Sequence, residues 1–309
     1  MAKVEQRFLD ASWMMHVSGE PSKEVQQIGP IYKEMMAKAP IAPGMEMEGI
    51  DDSTPANLKR EDVQVASQNC YFYSDPARDK DTKRLVFYIH GGALIMGNGK
   101  LARSQGIAAC NNLNLPVFVV EYRLSPQVKF PAHLDDVYAS WKYLIEEKGY
   151  KAEDLIVLGD SAGGQLALDL TVRLKLRGEK LPGYLLLCSP CTNANYSFPA
   201  HKDNIPTDIL FPNGLTTQLT AMCADEKDWS NPELSAYFAD VSGFPPAYFV
   251  TEDEEVLRDD TLYMADKLDK AGVKVLVRMF HGTWHDFALG VPQVPEAQLM
   301  FKDMREFIK

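Results

Sequence analysis

An α/β architecture, with a mostly parallel sheet covered by helices on both faces, is what this sequence predicts, and three observations predict it. Apolar runs near 63–73, 85–89, 117–121, 155–159, 184–188, 247–251 and 275–280 alternate with stretches of helical periodicity. One of these runs leads through G-x-S-x-G directly into a helix. The chain has 309 residues, 46% of them hydrophobic, which is enough to bury about three quarters of its unfolded surface in one large domain.

Residues 1–45 stand outside the alternation. They mix helix-like pieces, such as Val4 to Met15, with joints at Pro30, Pro40 and Pro43. The strand Leu85 to Ile89 then opens into His90-Gly91-Gly92-Ala93, whose glycines let backbone amides approach a ligand closely. Val117 to Val120 ends in Tyr122-Arg123. After it Pro131 starts a helix with Leu134, Val137, Trp141 and Leu144 on one face. Arg123 is expected to pair with Asp160 or Asp135.

The run Leu155-Ile156-Val157-Leu158 enters Gly159-Asp160-Ser161-Ala162-Gly163-Gly164 and continues as a helix. Its apolar face carries Ala162, Leu166, Leu170 and Leu174, widened by Leu168, Val172 and Leu176. Strand, sharp turn and helix together form the setting of an exposed nucleophilic serine, here Ser161, at a helix N-terminus that favours developing negative charge. The plainer reading is a tight strand-to-helix turn. After Tyr184 to Leu187 comes Cys188-Ser189-Pro190-Cys191, which lacks a second Cys or His pair at zinc spacing and reads as structural thiols. Residues 190–244 are again irregular, punctuated by Pro190, Pro199, Pro206, Pro212 and Pro232. Trp13, Met14, Met15, Phe211, Met222 and Trp229 in these irregular regions are ordinary core candidates that would also suit a pocket wall.

A nucleophilic serine needs a base and a carboxylate to orient it, in the order Ser, acid, His for this architecture. Tyr248-Phe249-Val250 opens into the acids Glu252, Asp253, Glu254 and Glu255. Val275 to Phe280 opens into His281-Gly282-Thr283-Trp284-His285. Both loops follow strand ends, where α/β sheets place their chemistry. His285, in a Gly-containing loop, is the better placed histidine, and spacing alone leaves the acid open. Amides of Gly92, Ala93 and Ala162 are the expected donors to an oxyanion.

The combination His90-Gly91-Gly92-Ala93, Tyr122-Arg123-Leu124-Ser125-Pro126 through Asp135-Asp136, and Gly159 to Gly164, with Glu255-Val256-Leu257-Arg258-Asp259, closely resembles the hormone-sensitive lipase-like (bacterial family IV) esterases of the α/β-hydrolase fold. The resemblance runs from about residue 60 to the C-terminus. It implies Glu255 as the catalytic acid, standing where the family has Asp, with Asp253 as its rival. Ala93 in place of a third glycine is the second departure. The resemblance also implies a helical cap from residues 1–45 and 190–244 over a core of 46–189 and 245–309. The expected activity is that of a serine carboxylesterase acting through an acyl-enzyme on small, relatively soluble esters with short or medium acyl chains, with no metal or organic cofactor. An amidase, lactonase or carbamate hydrolase on the same triad is the nearest alternative. A ligand receptor on this scaffold, as in plant gibberellin receptors that have lost the histidine, is a more distant one. Family members often dimerise, so a homodimer is an expected state.

A net charge of −11 argues against nucleic acid and anionic lipid as partners. The N-terminus lacks an apolar signal region and no run is long enough to span a bilayer. Five cysteines point to free thiols in a reducing compartment. The expected location is therefore the cytoplasm.

Overall fold

The computed structural model describes residues 3–17, 19–38, 41–47, 49–211 and 216–309. Pro40 and Pro212, two of the expected joints, lie outside the described residues. Among the described residues nine strands form one sheet: β1 (Met14–His16), β2 (Lys59–Val65), β3 (Gln68–Ser74), β4 (Leu85–Ile89), β5 (Val117–Val120), β6 (Leu155–Asp160), β7 (Tyr184–Cys188), β8 (Ala247–Glu252) and β9 (Val275–Phe280). Their order is β1-β9-β8-β7-β6-β4-β5-β3-β2. All pairings are parallel except β2 with β3 and β3 with β5. The ten helices found among the described residues are α1 (Gln6–Leu9), α2 (Lys23–Lys38), α3 (Lys100–Leu113), α4 (Ala132–Lys142), α5 (Ala162–Leu176), α6 (Ala200–Asp203), α7 (Thr216–Cys223), α8 (Arg258–Lys270), α9 (Phe287–Gly290) and α10 (Pro295–Phe307).

The central strands are buried at every position because both faces are covered. Alternate residues feed two cores. Leu85, Phe87 and Ile89 lie in the core on the side of α4 and α5. Val86 and Tyr88 pack with α3 and α10. Helix α5 is buried nearly all round, which explains why its apolar residues exceed a single stripe.

Three expectations about elements are corrected. The run 63–73 is not one strand but the hairpin β2–β3, turning at Ala66-Ser67, where Ala66 takes φ 49° without the Gly or Asn that usually marks such a turn. Val4 to Met15 is not one helix. Only α1 is helical, and β1 pairs with the outer edge of β9, where the Trp13 carbonyl accepts the Val277 amide at 2.8 Å. Pro30 is not a joint but lies inside α2.

The strand order reverses around β4, since the chain passes from β4 to β5 on one side and to β6 on the other. That switch point opens a crevice at the carboxyl ends of the strands. The irregular segments lie against it. Gly44 donates to the Ile95 carbonyl at 2.9 Å, and Tyr32 stacks on Trp284 with centroids 5.3 Å apart. From the 190–244 stretch, Asp208 accepts the Val256 amide at 2.7 Å and Asn204 donates to the Glu255 carbonyl at 2.9 Å. Trp13 is buried in the core beside Phe8.

Candidate active site

The loops after β4, β6, β8 and β9 leave the same edge of the sheet, with Ile89 beside Gly159 and Glu252 beside Phe280. Ser161 turns the chain from β6 into α5 at φ 51° and ψ −118°, a conformation that costs on the order of 1–3 kcal/mol and persists only where the surroundings hold it. Here its amide donates to the Cys188 carbonyl at 2.8 Å and its carbonyl accepts the Gln165 amide at 3.0 Å. The flanking glycines are required by close approach. A Cβ on Gly159 would collide with the Gly163 carbonyl, and one on Gly163 with the Ile89 carbonyl.

His285 Nε2 lies 2.9 Å from Ser161 Oγ, and Nδ1 lies 2.6 Å from Glu255 Oε2. The other carboxylate oxygen, Oε1, accepts from Ser189 Oγ at 2.8 Å, Thr251 Oγ1 at 2.5 Å and the Glu252 amide at 3.0 Å. Burial pushes the Glu255 pKa up, but the His285 ring and these donors outweigh it and leave it lowered. An anion facing Nδ1 fixes the tautomer with its proton there, leaving Nε2 for the serine hydroxyl. Phe211 packs edge-on against the ring at 5.5 Å between centroids.

Asp253 bonds elsewhere, with Oδ2 2.9 Å from His281 Nδ1. Each candidate histidine thus has its own candidate acid. Sequence reasoning missed Asp286, whose Oδ2 stands 3.1 Å from His285 Nε2. The signal was an acid adjacent to the candidate histidine. Its side-chain direction was hidden because Asp286 takes a left-handed backbone, φ 55°. Burial pulls the His285 pKa down, but the charges and hydrogen bonds of Asp286 and Glu255 raise it well above the usual imidazole value.

The loop after β4 holds Gly92, Ala93 and Leu94 at φ 108°, 54° and 62°. The Gly92 carbonyl accepts the Ile95 and Met96 amides, both at 3.0 Å. Asp160 ties this loop to the serine turn, accepting Gly91 N–H on Oδ2 at 3.1 Å and the Tyr88 hydroxyl on Oδ1 at 2.8 Å. Burial first, then the charge of Asp286, lifts the Asp160 pKa to about 8. Among the described residues, the amides of Gly92, Ala93 and Ala162 donate to no protein acceptor.

Arg123 pairs with neither Asp160 nor Asp135. It grips Asp136 through Nε at 2.8 Å and Nη2 at 2.9 Å, while Asp135 binds Arg173 at 2.6 Å. The physical reason is proximity: Asp136 also accepts the Arg123 backbone amide at 2.9 Å, and Asp160 is already engaged. All five cysteines are free and buried, and burial raises the Cys188 and Cys191 thiols well above their usual range, so neither is a ready thiolate.

Two chambers meet at Ser161. One of about 610 Å³ is lined by His285, Asp286, Trp284 and methionines of the N-terminal segment. The other, about 40 Å³, is lined by Ala162, Gln165, Leu219 and Leu234. Of the pocket candidates named from sequence, Phe211 lines both chambers, whereas Trp13, Met14, Met15, Met222 and Trp229 line neither.

This is the fold of an α/β hydrolase, and the sequence signature of the alpha/beta hydrolase fold matches residues 86–289. An esterase of Acinetobacter venetianus is 30% identical over 225 residues, covering 72% of this chain and 74% of that protein. Esterase LipU of Mycobacterium tuberculosis is 33% identical over 238 residues, covering 74% and 78%. An esterase/lipase structure from an uncultured bacterium superposes with a TM-score of 0.81 at 25% identity, covering 93% of this chain and 98% of that one. The chain belongs to the α/β-hydrolase family and is a carboxylic-ester hydrolase. No described helix is long and apolar enough to cross a membrane.

Proposed function

We propose that the chain hydrolyses small esters of short or medium acyl length through an acyl-enzyme on Ser161. The observation that carries this reading is the hydrogen-bonded line from Glu255 through His285 to Ser161 Oγ, with steps of 2.6 and 2.9 Å. His285 takes the hydroxyl proton as Oγ attacks the ester carbonyl. The amides of Gly92, Ala93 and Ala162 hold the oxyanion, while Glu255 stabilises the imidazolium. His285 then protonates the departing alkoxide. Water, deprotonated by the same ring, attacks the acyl-enzyme, and the acid leaves.

Residues 1–45 and 190–244 act as a cap in this reading, supported by the bonds of Asp208 and Asn204 to the acid loop and by the stacking of Tyr32 on Trp284. The bonded His285 favours a hydrolase over a receptor, and the names of the relatives favour esters over amides, lactones or carbamates. Charge supports a small-molecule partner without nucleic acid, and five buried thiols support a cytoplasmic location. Hydrolysis of p-nitrophenyl butyrate tests the scheme. Ser161→Ala is expected to lower kcat by about 10⁴-fold or more. Retained turnover in that variant would overturn the assignment.

A further inference from the structure

We propose that this site is asymmetric about the scissile bond, taking a short acyl group and a long or bulky apolar alcohol. The inference rests on the triad reading above and adds a direction to it.

Once Ser161 Oγ is bonded to the carbonyl carbon, three substituents remain to be placed. The oxyanion is fixed by the amides of Gly92, Ala93 and Ala162. The leaving oxygen must take its proton from His285 Nε2, so it lies on the His285 side. The acyl chain takes the direction that is left. The chamber lined by His285 and Trp284 is therefore the alcohol side, and the one lined by Ala162 and Gln165, which His285 does not reach, is the acyl side. Phe211, Ser161 and Ala93 line both chambers and stand at their junction.

The two sides differ in size and in give. The acyl chamber, at about 40 Å³, leaves room for a short acyl chain. In its wall Leu219 and Leu234 are buried, and Gln165 bonds the Leu234 carbonyl at 2.8 Å. The alcohol chamber, about 610 Å³, is walled by Met35, Met36, Met45, Met47 and Met96, flexible side chains that repack around varied apolar shapes.

Octyl acetate and ethyl octanoate share one molecular formula and differ only in the direction of the ester, so comparing their kcat/KM on the full chain isolates this asymmetry. Octyl acetate is expected to be favoured by at least about tenfold, the scale on which a small apolar pocket rejects surplus methylenes. Leu219→Ala, which deepens the acyl chamber, should cut that preference by about threefold or more. Equal rates on the two isomers, or a preference for ethyl octanoate, would overturn the asymmetry while leaving the triad intact. If instead Ser161→Ala hydrolysed both as well as the parent protein, the triad reading itself would fall, and this inference with it.

Discussion

Two histidine–carboxylate pairs stand on the same two loops, the histidines four residues apart and the acids two, and they are built differently. His285 and Glu255 are buried at 0% and 1% side-chain exposure, whereas His281 is exposed at 45% and Asp253 is only partly buried at 19%. Residue types and spacing are nearly the same in both. What separates them is the set of donors converging on the carboxylate. Glu255 receives two hydroxyls and one amide besides the imidazole, while Asp253 Oδ1 is buried with no partner among the described residues. A dry, fully bonded carboxylate remains an anion and holds an imidazole strongly. A pair open to water is screened and contributes little. Position at a strand end is therefore not what makes a histidine useful here; a saturated acceptor behind it is.

Replacing the acids tests this contrast most severely. Glu255→Gln keeps the shape but places an amide where three donors and an imidazole N–H all seek an acceptor. The expected loss in kcat is about 10²–10⁴-fold. Asp253→Asn should stay within about threefold of the parent rate, since the group it holds does not touch Ser161. If the two losses exchanged places, Asp253 would be the acid and the hydrogen-bond argument would fail. Circular dichroism on both variants checks that the fold is retained.

Much of this site was legible in sequence because its parts are local. The serine turn is written in five residues, since glycines 159 and 163 are demanded by carbonyls that would meet a Cβ. The loop of Gly92 and Ala93 is set by its own backbone. What was hidden depends on contacts between distant residues. Ser189 and Thr251 carry no mark of their bonds to Glu255, and Arg123 chose Asp136 over its neighbour by a helix rotation that spacing does not fix. At the edges of the fold, β1 arose because β9 needed a partner, not because Met14-Met15-His16 favours a strand. The hairpin β2–β3 escaped notice because Ala66 does the work of a glycine.

A smaller effect, of a different kind, is expected at Asp286. Its carboxylate faces His285 Nε2, and the Glu255 carboxylate faces Nδ1, so both favour the charged ring. Asp160 and Asp208 are the further acids in this environment, and burial raises the pKa of both. In the proposed mechanism His285 must be neutral to act, so kcat/KM is expected to rise as pH rises through the histidine's pKa. Asp286→Asn removes an anion that raises that pKa, and the acid limb should move to lower pH. The plateau rate should change by less than about tenfold. A limb that stayed in place, or moved upward, would show that Asp286 does not act on the ring.

The smallest effect sharpens the comparison from its other side. His281→Ala removes the half-exposed ring and leaves Asp253 with its backbone role intact, since the Asp253 amide still donates to the Phe280 carbonyl at 3.0 Å and its carbonyl still accepts Arg258 Nη1 at 2.9 Å. The ion pair lost is of the solvent-screened kind, worth about 0–1 kcal/mol, so the urea midpoint should shift only slightly and the slope not at all. Turnover should lie within about twofold of the parent, because His281 meets neither Ser161 nor Glu255. A loss approaching that of Glu255→Gln, with the midpoint unmoved, would mean that the exposed pair carries protons as well, and burial could no longer explain why one histidine of the two is used.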